Sequence, residues 1–103
     1  MEFINSCNCI VDYDILEKAI IAECDRRGIE PKHSYKIYDY RGYAGISLKH
    51  DKESVHRIIG KYMVKFDFDS DINVHHLDGN KMNNSISNLQ VIRKDLHIKQ
   101  HDI

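Results

Sequence analysis

The chain has 103 residues, of which 42% are hydrophobic and 30% charged, and its formal net charge is -1. That length suits one apolar core, and the absence of any run of about eighteen apolar residues excludes a membrane helix. The near-neutral balance conceals a pattern: residues 1–31 carry -4, residues 32–65 carry +5, residues 66–71 carry three aspartates, and residues 72–103 carry +1.

The opening MEFINSCNCIVDYD has no positive segment before its apolar residues, so it does not read as a signal peptide, and the mature chain is expected to start at Met1. Cys7, Cys9 and Cys24 make an odd count without a C-x-x-C pair, against a disulfide framework or a zinc knuckle and in keeping with a reducing cytoplasm. Cys7 and Cys9, in a predicted strand, would share a face with no third ligand in view.

Asp14 and Glu17 have the form of a capping box. Ile15, Leu16, Ala19, Ile20 and Cys24 then recur at helical spacing until Arg26-Arg27-Gly28, predicting a helix over 14–27. After Pro31, residues 34–38 and 43–48 form two β-rich runs around Asp39-Tyr40-Arg41-Gly42, a predicted hairpin. From Ser54, the positions of Val55, Ile58, Ile59, Tyr62 and Met63 predict a second amphipathic helix. The acidic FDFDSD segment, 66–71, reads as a loop or short edge strand.

The last third predicts strands over 72–77 and 88–92, a turn at Asp78-Gly79-Asn80, and a closing helix over 94–102. The expected fold is therefore α+β, one domain over 1–103: an N-terminal helical region (1–33), a hairpin and helix (34–65), and a ββα unit (72–103). The Asn-rich loop 78–87 is too polar to bury and must be held by its own side-chain to backbone bonds.

Within VHHLDGNKMNNSISNLQVIRKDLHIKQH, adjacent His75 and His76 must point to opposite faces of a strand, so one can bind metal while the other faces substrate. His97 and His101, four apart on a helix, share a face, as two imidazoles on one cation do. His33, His50 and His56 lack such company and read as surface or packing residues. Asn80, Asn83 and Asn84 read as turn residues.

The order His-His, DGNKMNN, S-N-L and then a helical His resembles the HNH endonucleases, particularly the short phage and intron-encoded branch. VHRIIGKYM, 55–63, is similar to the helix preceding the motif there, so the resemblance covers about 43–101. His76 lies twelve residues before Asn88, Asn88 nine before His97, and His97 four before His101. Carried over by position, the resemblance implies a catalytic pair, His76 as general base and Asn88 as the asparagine that ties the loop and orients it. His75 and His97 become metal ligands, with His101 available as a third. The intron-encoded branch often has Asp and Asn at the two ligand positions, so this all-imidazole set is closer to the colicin-type nucleases.

The implied activity is metal-dependent cleavage or nicking of DNA with one divalent cation, magnesium, manganese, zinc or nickel, the imidazoles favouring the softer ions. An imidazole base must be neutral to accept a proton, so activity should fall on acidification. Arg41, Lys49, Lys52, Arg57, Lys61 and Lys65 supply the cations expected to contact DNA phosphates. Because the chain ends at Ile103, just after the closing helix, limited sequence specificity or a protein partner that supplies it is expected, for a monomer or homodimer in the cytoplasm of a bacterial or phage-infected cell. The competing readings are a phage-type inhibitor or regulator acting by protein contact on the same fold, and a non-catalytic zinc-binding DNA module.

Overall fold

The computed structural model describes residues 1–64 and 72–93. The first strand, β1 (Glu2–Asn5), runs parallel to β2 (Ser34–Tyr40), and the helix α1 (Tyr13–Arg27) crosses between them. β2, β3 (Tyr43–Ser47) and β4 (Lys52–Ser54) continue antiparallel, giving a four-stranded sheet in the order β1-β2-β3-β4. The second helix, α2 (Val55–Val64), leads toward the antiparallel pair β5 (Ile72–His76) and β6 (Leu89–Arg93), which a single 3-10 turn at Ile86–Asn88 precedes on the β6 side. The architecture is α+β.

Local chemistry explains the boundaries. The α1 cap is Asp12, two residues before the position the capping-box pattern indicated: its carboxylate accepts from the backbone N–H of Asp14 at 3.0 Å and of Ile15 at 3.3 Å. Glu17 instead pairs with the terminal ammonium at 3.1 Å. Gly28 ends the helix in the left-handed region, φ 69°, where a side chain would be strained. The β2–β3 turn is tighter than expected. Both strands run to the Tyr40–Tyr43 pair, leaving Arg41 and Gly42 as its two-residue turn, both at positive φ, with Asp39 Oδ1 accepting from Gly42 N at 2.8 Å.

The strand expected around the cysteines closes at Asn5, so Cys7 and Cys9 lie in the segment that follows it. The brevity of β1 and β4, four and three residues, hides their alternation from a sequence pattern.

The core gathers Leu16, Ala19, Ile20 and Cys24 of α1, Tyr35, Ile37 and Ile46 of the sheet, and Val55, Ile58 and Ile59 of α2, all nearly inaccessible. On its other side α2 carries the β5–β6 pair at close range. A Cβ on Gly60 would come within 2.6 Å of Val74, so only glycine permits this approach. One charged cluster is built into the α1–α2 contact. Glu23, 1% exposed, pairs with Arg26, with Arg27 at 2.6 Å and with Lys61 at 3.6 Å, and Lys61 also reaches Glu53 at 3.8 Å.

This corrects the expectation for Lys61. Its side chain is 2% exposed and pairs with the buried Glu23 and the part-buried Glu53, so it is not available to a phosphate. No helix among the described residues is long and apolar enough to cross a membrane.

Candidate functional site

The loop between β5 and β6 is held as a polar lattice. Asp78 Oδ1 accepts from Asn80 N at 2.8 Å and from Asn88 Nδ2 at 2.9 Å, and its Oδ2 accepts from Asn83 Nδ2 at 2.9 Å. Asn88 closes the lattice: its amide also donates to the Asn83 carbonyl at 2.8 Å, and its Oδ1 accepts from Asp78 N at 3.0 Å. These donors hold the Asp78 carboxyl below the usual carboxylate range, the Asn83 amide first among them.

His75 and His76 take opposite faces of β5, as strand alternation requires, with His75 exposed and His76 half-buried. His76 Nε2 stands 2.9 Å from Asn84 Oδ1, and Asn84 is 1% exposed. A carbonyl oxygen can only accept, so with this amide orientation Nε2 is the donor, and in the neutral ring the lone pair is on Nδ1. Asn84 is therefore a contact residue of His76, where the sequence offered only a turn asparagine. The pairing spans a loop and leaves no periodic trace.

Two further residues close on His76 from the other half of the fold. His56, at the start of α2, places its ring centroid 5.0 Å from that of His76, and Tyr43 of β3 stacks on His56 at 4.9 Å and lies 6.1 Å from His76. Burial first, then the neighbouring His76 and Arg57 charges, push His56 down to about 4, so it stays neutral at ordinary pH. Lys81 holds its ammonium 4.7 Å from the centre of the Tyr43 ring.

Tyr43 lines two adjoining depressions. One, of about 310 Å³, also takes in His75, His76 and Lys81. The other, of about 470 Å³, takes in Tyr40, Arg41, Lys52, His56 and Arg57. Three of the six expected cations, Arg41, Lys52 and Arg57, thus converge on one groove beside His76. Lys49 is exposed but does not line it, and Lys65 lies outside the described residues.

His97 and His101, and the helix expected to carry them, also lie outside the described residues. Among the described residues no group of three His, Cys, Asp or Glu side chains is arranged to hold a metal ion. Beside His76, the described part places one exposed imidazole, His75, where a cation could bind.

A search of curated proteins finds similarity to the "SPbeta prophage-derived putative HNH homing endonuclease YosQ" of Bacillus subtilis (strain 168). The match is 38% identical over 56 residues, 50% of this chain and 32% of the relative. This partial similarity suggests an HNH nuclease and extends no further. The chain spans about a third of the relative's length. No protein-family model matches, and no solved structure matches.

Proposed function

We propose that the chain is a metal-dependent DNA endonuclease of the HNH type, with His76 as general base. The observation that carries this reading is the His76 to Asn84 contact, which leaves a half-buried imidazole with a basic Nδ1 beside a groove lined by Arg41, Lys52 and Arg57. In the proposed reaction, Nδ1 takes a proton from water as the water oxygen attacks phosphorus, and the bond from phosphorus to the departing deoxyribose oxygen breaks, that oxygen taking a proton from solvent. Asn88 keeps the loop closed around the base, and the groove cations hold neighbouring phosphates.

A divalent cation, when bound, would offset charge on the reacting phosphate and on the departing oxygen, and His75, His97 and His101 are the donors we assign to it. DNA is the proposed partner; the Tyr40 and Tyr43 rings give the groove apolar walls beside its cations.

The test is supercoiled-plasmid nicking by the purified full chain in magnesium, manganese, nickel or zinc and in chelator, beside His76→Ala and His97→Ala. Metal-dependent nicking that falls at least about 100-fold in His76→Ala is expected. DNA binding with no cleavage in any metal would select a non-catalytic DNA module instead. A biological effect that survives His76→Ala would select a protein-binding regulator.

A further inference from the structure

The N-terminal segment reaches the His76 site by a route no motif indicates. Asn5 grips the Cys9 backbone from both sides, its Oδ1 accepting from Cys9 N at 3.1 Å and its Nδ2 donating to Cys9 O at 2.7 Å. The next residue is stitched to the catalytic loop: Ile10 N donates to Met82 O at 2.8 Å, and Asn84 N donates to Ile10 O at 2.7 Å. These bonds set the buried Cys9 sulfur 3.3 Å from Asn84 Nδ2, which donates to it. The other end of the same amide is the oxygen that faces His76 Nε2.

A buried primary amide has two possible orientations, and its neighbours decide between them. The Cys9 thiol lies within donating distance of the Ile10 carbonyl, 3.7 Å, so its sulfur presents a lone pair to Asn84. With Nδ2 committed to sulfur, Oδ1 must face the imidazole. Reversing the amide would turn its NH2 toward Nε2, and only a histidine protonated on Nδ1 could accept that contact.

We propose that residues 5–10 form a positioning strap for the site. The Cys9 sulfur, by accepting from Asn84, fixes that amide and with it the Nε2–H tautomer of His76. Cys9 is then a positioning residue 75 positions from the amide it orients, and the acidic first third of the chain gains a role beyond completing the sheet. The consequence for cleavage rests on reading His76 as the base; the tautomer itself does not.

The experiment is long-range proton–nitrogen NMR of the His76 ring in the full chain at about pH 8, for the wild type, Cys9→Ala, Cys9→Val and Cys9→Ser. The wild type is expected to show the Nε2–H tautomer alone. Alanine and valine, which remove the acceptor, should yield both tautomers, with nicking reduced about two- to tenfold in proportion to the lost form. Serine, which retains an acceptor, should restore the wild-type pattern. Alanine introduces no added bulk and serves if valine does not fold. An Nδ1–H tautomer in the wild type, or an unchanged tautomer in Cys9→Ala, overturns the strap. A tautomer shift with unchanged nicking supports the strap and counts against His76 as base.

Discussion

Residues 1–64 and the β5–β6 pair with its loop are held by different physics. The first region buries aliphatic side chains from two helices and a sheet, with the Glu23 cluster enclosed between the helices. In the second, Leu89 is the one hydrophobic residue to reach full burial among those described, and amides and a carboxylate carry the order. Apolar burial is non-directional and tolerates imprecision, whereas a lattice of short polar bonds fixes atoms at defined angles. A site that must aim an imidazole gains from the second kind of support, provided the first kind anchors it. Here α2 is the anchor, meeting β5 and β6 at Gly60.

The largest effect should come from breaking the enclosed charge cluster of the first region. Glu23→Ala removes the carboxylate shared by Arg26, Arg27 and Lys61, Lys61 keeping Glu53 at 3.8 Å, and is expected to cost about 3 kcal/mol. Urea unfolding should show the loss as a lower global midpoint. A variant within about 0.5 kcal/mol of wild type would mean that the cluster is not a structural element of the core.

The seam between the regions gives the next effect, through pH. His56 is depressed to about 4 in the fold, against about 6.5 in an unfolded chain. The unfolded state thus binds the proton first on acidification. The stability contributed by neutral His56 is complete above pH 6.5 and is lost progressively as pH falls toward 4. After allowance for partial exposure the loss is about 2–3 kcal/mol. His56→Phe, which preserves an aromatic ring beside Tyr43, should flatten this part of the pH profile, and an equally steep profile in the variant would assign the slope to other groups.

The smallest global effect belongs to the loop. Asn88→Ala removes its bonds to Asp78 and Asn83, a loss of about 1–3 kcal/mol. It should appear chiefly as faster amide exchange over 78–88, with the unfolding midpoint of the core moved little. A midpoint shift as large as that of Glu23→Ala would dissolve the distinction between the two regions.

Both helices, the hairpin and the β5–β6 pair were legible because each repeats a hydrophobic period or a turn signal over enough residues. Asp78, Asn80 and Asn83 were legible as a self-bonded loop because their partners lie close along the chain, whereas Asn88 was placed in it only through the family resemblance. Arg41, Lys52 and Arg57 were legible as cations but not as one groove, and Lys61 carried the same charge with the opposite fate, since composition does not record which face of a helix meets a buried carboxylate.

By itself, the sequence determined the α+β class, the two helices and the opposed faces of His75 and His76, all consequences of local backbone geometry. Only the tertiary structure decided what surrounds His76. Asn84 turns its oxygen to the ring, Cys9 arrives from the chain's first strand-to-helix connection, and His56 and Tyr43 close in from α2 and β3. Such contacts join residues far apart along the chain, and the period of a strand or helix carries no trace of the partner that a packed fold brings to it.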